Sequence, residues 1–265
     1  MTMQRKTIKE VLLEVDPQTR TLYANVLKQA TGLEPEKASG LSFEDSIHFF
    51  THVWASCLFW SNQRVDYIGE SLEVLENFLR TRFKSQKDLH DIQVFCRELK
   101  QLKGKNFKDI DTQDFEGVLQ TTVLLQKFPS VGLKTAALIM RFLCLDSNYF
   151  SVEQNLLIPP LDRVNYRMCK QLLGNKETHD LLTDEKPAFK LPETQKFAKL
   201  GCEILGKNGI LIDNLWFIGH FYCDSKLQND CKLRKGVSSI NFSNLIGVNL
   251  HEECPFYKYG CRKTK

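Results

Sequence analysis

Long apolar runs are missing from this chain of 265 residues. No stretch approaches the roughly 18 uninterrupted apolar residues that a membrane span requires. Strand-like alternation is nearly absent as well, which leaves a sheet-based fold without a signal. Nothing repeats with a period of about 20 to 50 residues, so a solenoid or propeller is excluded. The opening segment, MTMQRKTIKEVLLEV, has charges scattered through it and lacks the continuous apolar core of a secretion signal. The expectation is an intracellular protein with no membrane partner, in the cytoplasm and nucleoid, or in the nucleus of a eukaryotic cell. Charge of one sign is lacking too: 36 Lys and Arg against 32 Asp and Glu leave +4. That balance permits nucleic-acid binding without arguing for it, because a basic stripe can hide inside a balanced total. Basic runs at Lys100, Lys103, Lys105 and Lys108, and at Lys232, Arg234 and Lys235, taken alone read first as solvated faces.

What is present is helix. A hydrophobic content of 42% with 26% charge is ordinary for a chain that buries a core. Asp16-Pro17 reads as a cap followed by proline at the first helical position, opening a helix through about Gln29. Ser42 with Asp45, and Ser85 with Asp88, are capping boxes ahead of further apolar-periodic runs. Apolar residues at three-to-four spacing through Phe115, Val118, Leu119, Val123 and Leu124 continue the pattern, followed by helices over 133–145, 161–174, 193–206 and 211–222. The fold class expected is all-α, with a two-lobed helical core over 1–223, a helical hairpin at 115–145, and a cysteine-containing tail over 224–265. Five of the nine cysteines (Cys57, Cys96, Cys144, Cys169, Cys202) sit singly in apolar surroundings and read as small buried hydrophobes.

Chemistry concentrates in FPSVGLKTAALIMRFL at 128–143 and IPPLDRVNYRMC at 158–169. Pro129 and Gly132 shape a turn, and Gly132 suits either a positive φ or close approach to a ligand. Val131 would plug the turn into the core, and backbone amides over Ser130, Val131 and Gly132 could grip a DNA phosphate without reading sequence. A helical hairpin with no ligand would use similar residues. Lys134 falls in the first turn of the following helix, at the positive end of its dipole. An uncharged lysine amine can attack a sugar carbon and form a Schiff base, whereas a lysine pointing to solvent or phosphate is the plainer reading. Asp162 follows Pro159-Pro160-Leu161 and precedes an apolar run, so a helix N-cap accounts for it. A capping aspartate is also held in a fixed orientation, which suits it to stabilise positive charge on a sugar.

Together these residues resemble the helix-hairpin-helix DNA glycosylase superfamily, whose bifunctional members pair a hairpin lysine with a downstream aspartate. The long spacing between Lys134 and Asp162 is more similar to the archaeal 8-oxoguanine DNA glycosylase branch. DPQTRTLYANVLK at 16–28 and ILIDNLWFIGHFYC at 210–223 resemble segments of the same branch. The resemblance implies Lys134 and Asp162 as catalytic residues, with Gln18, Trp216 and Asp213 around the extruded base. A flipped base is read at its edge and held between flat side chains. A second stacking aromatic is sought at Trp60, with Trp54 and Tyr67 as the other candidates. The expected activity is a DNA glycosylase and apurinic-site lyase acting, as a monomer, on double-stranded DNA carrying 8-oxoguanine. Its rivals are a glycosylase for another damaged base without lyase activity, and a non-catalytic helix-hairpin-helix DNA-binding protein. The chemistry requires no cofactor. From the end of the core through the tail, Cys223, Cys231, Cys254 and Cys261 form C-x7-C and C-x6-C pairs separated by 22 residues. Zinc pairs use shorter gaps. A structural Zn or Fe–S staple, thiols without metal, and disulfides all stay open.

Overall fold

A computed structural model describes residues 3–40, 131–147, 152–174, 190–224, 230, 231 and 254–259, with isolated positions at 49, 52, 53, 57, 118, 119, 122, 123, 125, 126 and 178. The described residues are mostly helical, with short connections between the helices and one two-residue ladder, which is an all-α class. In order come α1 (Arg5–Thr31), a 3-10 turn (Pro35–Gly40), α2 (Leu133–Arg141) with a π turn (Phe142–Asp146), a 3-10 turn (Gln154–Leu156) and α3 (Arg163–Leu173). Then follow α4 (Leu191–Leu205), a 3-10 segment (Gly206–Asp213), α5 (Asn214–Phe221), β1 (Cys223–Asp224), β2 (Asp230–Cys231) and a last 3-10 turn (Tyr257–Tyr259). Both capping boxes at Ser42 and Ser85 lie outside the described residues. Among the described residues no helix is long and apolar enough to cross a membrane.

Helix α1 corrects the expected start at Pro17. It begins twelve residues earlier, and Pro17 lies inside it. Ile8, Val11, Leu12 and Val15 fall at three-to-four spacing and are buried. Each such side chain stabilises by about 1.5–3 kcal/mol, which together outweighs the roughly 3 kcal/mol penalty of an interior proline. Asp16 is consequently no N-cap; its carboxylate takes the Arg20 Nε at 2.7 Å, one turn on. A second correction concerns Val123, which the apolar pattern placed inward and which is 41% exposed. Thr122 takes the buried position instead, its hydroxyl satisfied by donating to the Val118 carbonyl at 2.8 Å. A third is Cys202, which lies exposed on α4, whereas Cys57, Cys144 and Cys169 are buried as expected. On α4 the inward position belongs to the preceding Gly201, which packs on Gly209.

The described residues divide into two compact units, one within Met1–Leu22 and Ile158–Lys265 and the other within Tyr23–Leu157; the division falls inside α1. In the first, α3 packs on α5, and α4 packs on the 3-10 segment after it. Glycines set both approaches. A Cβ at Gly219 would come within 2.3 Å of Val164 Cγ1, and one at Gly201 within 2.3 Å of the Gly209 carbonyl oxygen. The backbone amide of Met3 donates to the Leu172 carbonyl at 2.7 Å, tying the segment before α1 to the end of α3. In the second unit, α2 is buried all round: every residue from Leu133 to Arg141 except Lys134 is buried.

Candidate functional site

Lys134 is the second residue of α2 and half-buried, between the buried Leu133 and Thr135. Just before the helix, Val131 is buried, as the apolar pattern requires, and Gly132 is exposed. Gly132 is the N-cap at φ −85° and ψ 174°, so the positive φ offered as one reason for glycine does not occur. A Cβ at this position would meet nothing within 4 Å, so neither backbone conformation nor packing in the described residues requires glycine here. As N-cap, Gly132 brings no side-chain hydrogen bond to this helix start.

Behind Lys134 the second unit holds a buried charge pair that sequence reasoning missed. The Arg141 side chain and the Asp146 carboxylate are both 0% exposed, with Nε and Oδ2 3.5 Å apart. The Arg141 guanidinium lies over the Tyr23 ring, 4.5 Å from its centroid, and Phe142 meets the same ring edge-on at 5.2 Å. Cation–π contact of this kind gains strength when desolvated. The π turn between Arg141 and Asp146 closes with the Ser147 hydroxyl donating to the Phe142 carbonyl at 2.8 Å. α2 is therefore clamped at the end opposite Lys134. Burial pushes the Cys57 thiol well up from its ordinary value, the Asp146 carboxylate adds to this, and the Lys134 ammonium opposes it. The signal for the pair in the sequence was an arginine and an aspartate inside an apolar run, RFLCLD.

The remaining candidates described belong to the first unit. Asp162 caps α3 with extended backbone, and its Oδ1 accepts from the amides of Val164 at 2.8 Å and Asn165 at 2.9 Å. It is 7% exposed. The expected N-cap is therefore real, and a catalytic use of the carboxylate is compatible with it. Asp213 is 2% exposed, and its Oδ1 accepts from Asn165 Nδ2 at 2.9 Å. Its neighbour Asn214 donates from Nδ2 to the Leu12 carbonyl at 3.0 Å and to Asp16 Oδ1 at 3.3 Å, pinning the start of α5 to α1. Trp216 is half-buried on α5, with its ring 4.4 Å from that of His220 one turn on, tilted by 52°. Gln18 is half-buried in the middle of α1 rather than in a first helical turn.

Ser130, Trp60, Trp54, Tyr67 and Cys261 lie outside the described residues, so the phosphate-gripping turn, the second stacking aromatic and the tail cysteines are described in part. Cys223 and Cys231 stand opposite each other in the register of β1 and β2. The Cys223 sulfur is 3.7 Å from Met168 Sδ, and Cys254 is buried. Among the described residues no group of three or more His, Cys, Asp or Glu side chains could hold a metal ion. No protein-family model, curated protein or solved structure matches this chain.

Proposed function

We propose that the chain is a bifunctional DNA glycosylase and apurinic-site lyase of the helix-hairpin-helix type, acting on an oxidised purine, with 8-oxoguanine as the lesion to test first. The observation that carries the reading is the placement of Lys134. It stands half-buried in the first turn of α2, two residues after an exposed glycine with open space around it, on a helix clamped from behind. Backbone amides at a helix start suit a DNA phosphate, and the adjoining amine is positioned for covalent chemistry. In this reading the Lys134 nitrogen attacks C1′ of the damaged nucleotide. The bond from C1′ to the base breaks, and the base leaves with a proton. The Asp162 carboxylate, oriented by two amides, stabilises the positive charge that develops on the sugar. The sugar ring then opens as the C1′–O4′ bond breaks and O4′ takes a proton, which gives the Lys134 imine. This acidifies C2′, loss of that proton expels the 3′ phosphate, and hydrolysis of the imine returns the lysine. Gln18 and Trp216 would read and stack the extruded base.

Borohydride trapping on an 8-oxoguanine duplex tests this. The expected result is a covalent adduct from the wild type and none from Lys134→Gln. Excision without an adduct would assign the chain to base removal without lyase chemistry. Binding without excision would leave a DNA-binding protein. No cofactor enters these steps. A thiolate-bound Zn or Fe–S group held by Cys223, Cys231, Cys254 and Cys261 would be structural, and the opposed register of Cys223 and Cys231 supports it. Metal analysis of freshly purified protein decides that point, and stoichiometry near zero in a folded sample removes it.

A further inference from the structure

We propose that Asn165 and Asp213 form a positioning pair for the Asp162 carboxylate, a role that rests on the reading of Asp162 as the carboxylate of the site. Any N-cap aspartate receives amides from the first helical turn, and here they come from Val164 and Asn165. What an ordinary cap does not need is a second set of bonds made by the side chain of the residue supplying one of those amides. Asn165 is 0% exposed. Its Nδ2 donates backwards to the Pro160 carbonyl at 2.8 Å and across to Asp213 Oδ1 at 2.9 Å, 48 residues along the chain.

The backward bond closes the segment from Pro160 to Asn165 around Asp162. Proline fixes its own φ at one end of that segment, and the helix fixes the other. The bond across to Asp213 fastens the closed segment to the start of α5, which Asn214 in turn fastens to α1. Asp162 is thus held through its neighbours rather than by its cap alone. A helix needing only a start would place an apolar residue at this buried position, since burying an amide is costly unless it is hydrogen-bonded. Misplacement of a reacting group by about 1 Å costs roughly a hundredfold in rate, so a device that holds the carboxylate has a clear use.

The test separates this role from general structural support. In Asn165→Ala the amide of Val164, which donates to Asp162, should exchange its hydrogen about tenfold faster, with Met168 and Cys169 further along α3 changed by no more than about twofold. Asp213→Ala should reproduce that pattern, and Asp213→Asn should not, because an amide oxygen still accepts from Asn165. This second comparison also serves should Asn165→Ala fail to fold. Equal acceleration at Val164 and Met168 overturns the proposal. Single-turnover excision in Asn165→Ala should fall about ten- to a hundredfold with duplex affinity unchanged, and the loss should vanish in an Asp162→Asn background. A loss of the same size in that background overturns the positioning role. If the wild type excises nothing, the glycosylase reading falls, and the exchange pattern alone then decides whether the pair holds Asp162.

Discussion

Replacing Gly132 by alanine puts the reading of the α2 start at risk without endangering the fold. The backbone there is extended, at φ −85°, which any residue adopts, and the added methyl would meet no atom within 4 Å. Two small effects then compete. Alanine is a poorer N-cap than glycine, at a cost of about 0.5–1 kcal/mol. The stiffer unfolded chain returns about 0.4–1 kcal/mol. They nearly cancel, and for a chain of this size the thermal midpoint should move by less than about 2 °C.

Binding should respond differently. If a DNA phosphate approaches the exposed backbone at Gly132, the methyl takes the space that the anion needs. A hydrogen bond to a charged partner contributes about 1.5–3 kcal/mol, so losing one weakens binding about ten- to a hundredfold. Fluorescence anisotropy with a labelled duplex at fixed salt measures this, beside a thermal melt of the same sample. An affinity within about twofold of wild type, with the melt unchanged, would refute the claim that glycine is there to admit a phosphate.

Gly201→Ala and Gly219→Ala should both lower the denaturant midpoint with m unchanged, because overpacking costs about 1–3 kcal/mol and exceeds the roughly 1 kcal/mol gained in helix propensity. A Gly201→Ala variant more stable than wild type would contradict the 2.3 Å approach to the Gly209 carbonyl. Arg141→Met strands the buried Asp146 carboxylate and should cost about 3–5 kcal/mol in urea unfolding, while Arg141→Met with Asp146→Leu should recover most of it. A single variant costing under about 1 kcal/mol removes the argument that the pair clamps α2. Burial pushes the Cys169 thiol up to about 12, and burial with the Asp146 charge pushes Cys144 higher. The folded thiols keep their protons where unfolded ones release them, so this contribution is present below the ordinary value of 9.0 and is lost as pH rises above it. At pH 8, mass-spectrometric mapping of alkylation should find Cys202 labelled before Cys57, Cys144 and Cys169; early labelling of Cys169 would contradict its burial.

What could be read directly was local. Asp162 announces itself because two prolines, a leucine and an aspartate before an apolar run leave the chain few ways to start a helix. The helices bearing Lys134 and Trp216 follow from apolar spacing in the same way. Misreadings arose where a local signal met burial further off. Asp16-Pro17 is a strong start signal in isolation, yet four buried aliphatic residues upstream carry α1 through it. Val123 looks like a core residue until Thr122, able to satisfy its own hydroxyl, takes the inward face. Asn165 carried no legible signal at all, because its partner Asp213 is 48 residues distant and nothing nearby marks the pairing.

Buried polar groups are a poor way to gain stability, since well-packed apolar residues often serve as well or better. On the proposed function, their positions in this chain have a use beyond stability. Asn165 and Asp213 sit at the starts of α3 and α5, Asn214 and Asp16 join α5 to α1, and Arg141 and Asp146 close the end of α2. The helices so fastened are those that carry Asp162, Trp216, Gln18 and Lys134. Hydrogen bonds and ion pairs are directional, so they fix rotation and register along a helix in a way that apolar packing alone does less sharply. Chemistry on a nucleotide needs that control at each residue that touches it. On this argument, apolar replacement of the Asn165–Asp213 contact would leave a stable chain with a poorly aimed carboxylate, and stability and rate would come apart.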